Sequence, residues 1–171
     1  MKIFIPLGIL FLLTFTKTIY SQLSITQGGV NYSIDFDNTM SGVSQGQFAG
    51  SGFAPIPSTG QLNSNAWAVT GLNDGELLFG GTEISGDFAR GTSTGGVTTG
   101  GIYAFEVLAG NRALGIQPGT GDWTAGEITL RVLNNSGGSI ISLDFAYDIY
   151  VRNDEARSNL FNFSYSFDGV I

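Results

Sequence analysis

Apolar and polar positions alternate with a period of two along most of the chain, and no window of a dozen residues carries a capped 3.6-residue period. The clearest case is Ser139 to Val151. Ile141, Leu143, Phe145, Tyr147, Ile149 and Val151 fall on one face there, and Ser142, Asp144, Ala146 and Asp148 on the other. At about 3.3 Å per residue such a strand is roughly 40 Å long. Leu160 to Phe167 repeats the pattern, with Phe161, Phe163, Tyr165 and Phe167 opposite Asn162, Ser164 and Ser166. The two segments are expected to pair as a hairpin across Arg152 to Asn159. Earlier strands are expected at Val30–Asp37, Gln47–Phe53, Ala66–Thr70, Glu76–Gly80, Ile102–Leu108, Ala113–Gln117 and Glu127–Leu133. Short strands separated by Gly, Asn, Asp and Ser clusters, each with one apolar face, predict an all-β fold. The expected architecture is a two-sheet antiparallel β-sandwich, jelly-roll-like, with the two apolar faces packed together.

The first 21 residues break this pattern. Met1 and Lys2 precede the apolar run Ile3 to Phe15, and Thr16 to Ser21 end on a small residue, which is the layout of a secretory signal peptide. The run is shorter than the roughly 20 residues that span a bilayer. The expectation is a signal peptide at 1–21, a β-sandwich domain at 22–171, secretion to the extracellular space or cell surface, and no stable membrane insertion after the signal is removed.

Composition fits a single domain of this kind. Of 171 residues only 12% are charged, 42% are hydrophobic and 26 are glycine, so the chain has ample core material and many turn residues. Loss of the signal takes both lysines, Lys2 and Lys17, and leaves five arginines against 14 acidic residues, a formal charge of −9. Such a surface repels phosphate backbones, so nucleic acid is not an expected partner. Beyond residue 21 there is no His, Cys or Lys. A Ser-His-Asp or Cys-His nucleophile, a Schiff-base lysine, a Walker loop and a His/Cys zinc site are therefore all closed to it.

Two local features add little chemistry. Ser93-Thr94-Gly95-Gly96-Val97 is doubled by Thr98-Thr99-Gly100-Gly101-Ile102, which reads as consecutive turns feeding a strand and not as a phosphate loop. Sequons stand at Asn31, Asn134 and Asn162. At the other end, Asp168-Gly169 is a strong two-residue hairpin turn, followed only by Val170-Ile171. A long strand, a tight turn and two residues of return strand lead to the expectation of a C-terminally incomplete sandwich, whose remaining strands would lie beyond Ile171.

Several landmarks recur in one order: Phe36-Asp37-Asn38-Thr39, Gly50-Ser51-Gly52-Phe53, Gln61-Leu62 with Asn65-Ala66-Trp67-Ala68, Asp87-Phe88-Ala89-Arg90-Gly91 and Ala113-Leu114-Gly115-Ile116-Gln117-Pro118. Arg157-Ser158-Asn159, Phe161 to Ser166 and Asp168-Gly169 complete them. From about Val30 to Ile171 the chain resembles an uncharacterised extracellular β-sandwich module found near the N-terminus of large secreted bacterial proteins, many of which end in a type IX secretion sorting domain. In that family the module usually runs on past the Asp-Gly turn. The resemblance implies an adhesive or carbohydrate-binding sandwich and supplies no catalytic residues.

Candidate sites follow from residue chemistry. Glycosidases need two carboxylates roughly 5 to 9.5 Å apart. Asp144 and Asp148, four residues apart on one strand face, would be about 13 Å apart and fail. Asp35 and Asp37, near 7 Å, pass on distance alone, although nothing marks either as a desolvated acid and a solvated outer face is the stronger reading. No cofactor is expected, with calcium as the one candidate metal. Its ligands would come from Asn73, Asp74 and Glu76, from Asp154 and Glu155, or from Asp37, residues that ordinary turn chemistry also explains. Trp123 and Asp122, in the loop Pro118 to Thr124, and Trp67 are the candidates for sugar contact, an indole face stacking on a pyranose ring beside a hydrogen-bonding carboxylate. Trp67, flanked by alanines in a strand, also suits the core. Arg90, Arg112 and Arg157 read as structural partners of carboxylates. The leading expectation is a secreted, non-catalytic module that binds an extracellular polysaccharide or a surface protein. A structural spacer domain and a glycan-active sandwich hydrolase are the alternatives.

Overall fold

The computed structural model describes residues 22–119, 121–123, 125–152 and 160–167. The signal-like segment 1–21, the expected loop residues 153–159 and the turn at Asp168-Gly169 lie outside them. The fold is nearly all-β and sandwich-like, as the alternation predicts. The strands among the described residues are β1 (Leu23–Ile25), β2 (Ser44–Gln45), β3 (Phe53–Ala54), β4 (Gln61–Asn63), β5 (Trp67–Leu72), β6 (Gly75–Leu77), β7 (Thr92–Ser93), β8 (Gly101–Leu108), β9 (Asn111–Gln117), β10 (Ile128–Leu130) and β11 (Val132–Asn134). One 3₁₀ turn, Gly86–Phe88, lies between β6 and β7. Among the described residues no helix is long and apolar enough to cross a membrane.

The strands are distributed over four small sheets and not two continuous ones: β1-β11, β10-β5-β6, β2-β4-β3 and β7-β8-β9. Three pairings, β1 with β11, β3 with β4 and β7 with β8, are parallel, so two sheets are mixed and β1-β11 is parallel where a purely antiparallel arrangement was expected. The longest ladder is the β8–β9 hairpin, closed at Ala109-Gly110 with Gly110 at φ 79°, where Glu106 faces Arg112 across the strands. That cross-strand pair is also an ion pair, at 3.3 Å.

Side chains from all four sheets meet in one core: Leu23, Val43, Phe48, Phe53, Leu62, Ala66, Trp67, Val69, Leu72, Leu77, Phe88, Ile102 and Ala104. Three expected strands form where they pair with a long neighbour or enter the core. Ala66–Thr70 becomes β5, Ile102–Leu108 becomes β8 and Ala113–Gln117 lies within β9. Glu127–Leu133 divides at Arg131, whose backbone N–H donates to the Ala66 carbonyl at 2.7 Å. The chain changes sheet there, β10 pairing with β5 and β11 with β1.

Four expected strands are corrected. Gln47–Phe53 is not one strand, because Gly50 and Gly52 take positive φ (63° and 87°) and turn the backbone, leaving only the two-residue β3 at its end. Val30–Asp37 is irregular and ends in a turn with Phe36 at φ 58°, yet its alternation survives as burial: Tyr32, Ile34 and Phe36 pack on the core while Asn31, Ser33 and Asp35 face solvent. The segments 139–151 and 160–167 also form no strand, and nearly all of their residues are exposed.

Gly71 in β5 shows how closely the layers approach. Its φ is 88°, and a Cβ there would run into the Ala125 carbonyl and the Gly126 Cα. Gly71→Ala is expected to lower stability by about 1–3 kcal/mol through combined backbone strain and steric contact. Urea denaturation of the variant measures it, and an unchanged midpoint would contradict the close approach.

Candidate functional site

Trp67 is corrected as a sugar-stacking residue. It is only 6% exposed, its ring lies 6.0 Å from that of Phe36, and its Nε1–H donates to the Val43 carbonyl at 3.2 Å. An indole with both its face and its N–H used inside the core offers nothing to a ligand.

Trp123 and Asp122 are held by the loop that bears them. The Trp123 N–H donates to the Gly119 carbonyl at 3.3 Å, the residue forms an isolated antiparallel bridge with Leu72, and its half-buried side chain packs on the core. Asp122 Oδ2 accepts from the Gly100 N–H at 3.2 Å, and the Asp122 carbonyl accepts from the Asn73 N–H at 3.2 Å. The carboxylate thus fastens the loop to the second turn of the doubled Gly-Gly unit, and the indole acts as a cover over β5.

Asp35 and Asp37 stand in a turn and not on a strand face. Asp35 accepts from the Asp37 N–H at 3.0 Å, the Asn38 N–H at 3.2 Å and the Asn38 side-chain amide at 3.1 Å. The Asn38 side-chain bond, joined by these backbone donors, holds its carboxyl below the ordinary value. Asp37 Oδ1 accepts from the Arg112 N–H at 2.8 Å and from Gln47 Nε2 at 3.3 Å, tying the turn to β9. A glycosidase acid needs a carboxyl whose proton is retained, which follows from a dry, apolar pocket. Asp35 has the opposite surroundings.

Asn73 and Asp74 form the tip of the β5–β6 hairpin, closed at Gly75, while Glu76 is exposed on β6. Asp74 Oδ2 accepts from the Asp87 N–H at 2.9 Å. Asp37 belongs to the separate turn described above, and Asp154 and Glu155 lie outside the described residues. Among those described, no three or more His, Cys, Asp or Glu gather as metal ligands.

Of the arginines, Arg90 pairs with Asp87 through Nη2 and Oδ1 and donates from Nε to the Gly100 carbonyl at 2.8 Å. Asp87 is 1% exposed. Arg112 pairs with Glu106, and Arg157 lies outside the described residues. Asp87, the most deeply buried charge described, was not a candidate from the sequence. The Asp-x-x-Arg spacing across a short 3₁₀ turn is its only trace there.

The largest unabsorbed feature is the pair of segments 139–151 and 160–167. Phe145 lies 5.5 Å from Phe163, and Tyr147 lies 6.3 Å from Phe161 and 5.8 Å from Phe163 in a stacked arrangement. Contacts of 145 with 163 and of 147 with 161 run in opposite chain directions, so the segments lie side by side as the hairpin expectation requires, though without becoming strands. Their shared face is open: Phe145 and Tyr147 are 54% and 55% exposed, Phe161 and Phe163 72% and 52%. Ile141, Leu143, Ile149, Tyr165 and Phe167 are exposed with them. At the end of the first segment the Arg152 guanidinium donates to the Thr94 carbonyl, anchoring the pair to the β7 turn. Comparison with protein-family models, with curated proteins and with solved structures finds no match to this chain.

Proposed function

We propose that this chain is a secreted, non-catalytic extracellular or cell-surface module whose work is adhesion. The observation behind this reading is the open aromatic face of 139–151 and 160–167. Exposed apolar patches beyond a few hundred Å² are uncommon on monomeric soluble proteins and mark surfaces that bind other macromolecules. The chemistry left to residues 22–171 agrees, since it includes no His, Cys or Lys and the Asp35/Asp37 pair is occupied in turn hydrogen bonds. A protein surface suits the face better than a polysaccharide does. Small-ligand sites add precisely placed polar groups to an apolar lining, and this face is apolar at every position from Ile141 to Val151 in steps of two.

Beads coated with the chain are expected to adhere to whole cells, and beads coated with the Phe161→Ser/Tyr165→Ser variant to adhere at least about tenfold less, on the scale of losing aromatic anchors. Equal adhesion of the two would count against the aromatic face. Retention on a polysaccharide lost in Trp123→Ala would instead support carbohydrate binding. Reducing-sugar release lost in Asp35→Asn or Asp37→Asn would make the chain a hydrolase, and a blank in all three assays would leave it a spacer.

A further inference from the structure

We infer that the occupant of the aromatic face is a second copy of this chain, the two faces packing on one another about a two-fold axis. The inference rests on the adhesive reading for its surface and goes further by naming the partner. The first ground is area. At about 150–250 Å² per aromatic side chain, the six on this face (Phe145, Tyr147, Phe161, Phe163, Tyr165 and Phe167), each more than half exposed, leave on the order of 800 Å² in water. A standard-size interface buries about 800 Å² per partner.

The second ground is composition. A two-fold contact places a surface against itself, residue i meeting j and j meeting i, so the face must be complementary to itself. Aromatic and aliphatic side chains meet that requirement. Asp144 and Asp148, the acids of the first segment, fall between the aromatic positions in the sequence, and 160–167 contains no acid. The third ground is architecture. The segments lie side by side without forming a ladder, and an apolar face with so little support of its own is stabilised by a second packed layer. Two copies supply that layer to each other. The ring contacts among Phe145, Tyr147, Phe161 and Phe163 already hold the face in one arrangement, so little side-chain freedom remains to be lost on association.

Charge separates this occupant from a different protein. The chain carries a net charge of −7, so two copies repel at long range while the contact itself is uncharged. Salt screens the repulsion, and self-association should tighten as ionic strength rises. Docking of a basic partner would weaken.

Sedimentation equilibrium of the full purified chain between about 1 and 100 μM, a range that brackets a micromolar Kd, is expected to show a dimer. Its dissociation constant should fall with added salt and rise at least about 30-fold in Phe163→Asp, as for loss of an interface hot spot. Circular dichroism should show the variant folded. The chain has no cysteine, so single introduced thiols report the geometry directly. Mixtures of single-thiol variants on the face (Phe145→Cys, Phe161→Cys, Phe163→Cys) should include a pair that cross-links to a covalent dimer on mild oxidation, and no mixture with Ala146→Cys, at an alternate position, should. A monomer throughout the range would overturn the inference, as would a dimer indifferent to Phe163→Asp or cross-linked equally through position 146. A monomer whose coated beads still adhere to cells through the aromatic face would refute the second copy alone and leave the adhesive reading standing.

Discussion

Phe53→Ala is expected to destabilise the chain by about 3–5 kcal/mol, the range measured for deletion of a buried aromatic ring. Phe53 is fully buried in β3, shares the core with Phe48, Leu62 and Phe88, and has its own backbone fixed on both sides. Its N–H donates to the Glu83 carbonyl at 2.7 Å, the Glu83 N–H returns a bond at 3.0 Å, and β3 runs parallel to β4 with Phe53 beside Leu62. A backbone held this way cannot collapse into the space left by the ring, so the full cavity cost is felt. Thermal denaturation should show a fall on the order of 10 °C for a chain of this size. Ile56→Ala, at an exposed position outside the aromatic face, should move stability by no more than about 0.5 kcal/mol. Similar losses for the two variants would mean that the core is not where the structure places it.

Arg90→Ala should cost a comparable amount, about 3–5 kcal/mol, for a different reason. It leaves the Asp87 carboxylate buried without its counter-charge, and that uncompensated charge is the expensive species. Asp87 Oδ2 already lacks a hydrogen-bond partner, so Arg90 at Oδ1 carries the compensation. Removing both charges removes the problem: Asp87→Leu/Arg90→Leu should be markedly less destabilised than Arg90→Ala alone. Urea denaturation of the single and double variants measures the coupling. Additive losses, with the double variant worst, would show that the pair does not act as a unit.

Burial was legible in the sequence more reliably than backbone pairing. In residues 30–37 the alternation correctly placed Tyr32, Ile34 and Phe36 on the core, although Phe36 turns at positive φ and no ladder forms. Periodicity reports which side chains want cover, while a ladder also needs a partner edge, and that is decided by distant residues. The same limit explains the two-residue strands β2, β3 and β7, which are too short to show a period and exist because β4 and β8 lie beside them. For the candidate site, the sequence identified residue types but not their obligations. Trp67 is taken by the Val43 carbonyl, Asp122 by Gly100 and Asp37 by Arg112, all long-range contacts with no local signature. The aromatic run of 139–167 was legible at once as a face. Its exposure was not, since an alternating pattern looks the same whether or not something covers it.

The parallel pairing of β1 with β11 has a kinetic meaning. Leu23, Ser24 and Ile25 lie beside Val132, Leu133 and Asn134, and the Asn135 N–H extends the contact to the Ile25 carbonyl at 2.7 Å. More than a hundred residues therefore separate the two edges in the order of synthesis. At roughly 5–20 residues per second, the earliest strand waits on the order of 10 s for its mate, and Leu23 stays out of the core for that time. Closing so long a loop also defers its own reward until the entropy has been spent, which slows the final step. A nascent chain of this kind stays open at its leading edge while the middle of the domain is already able to fold.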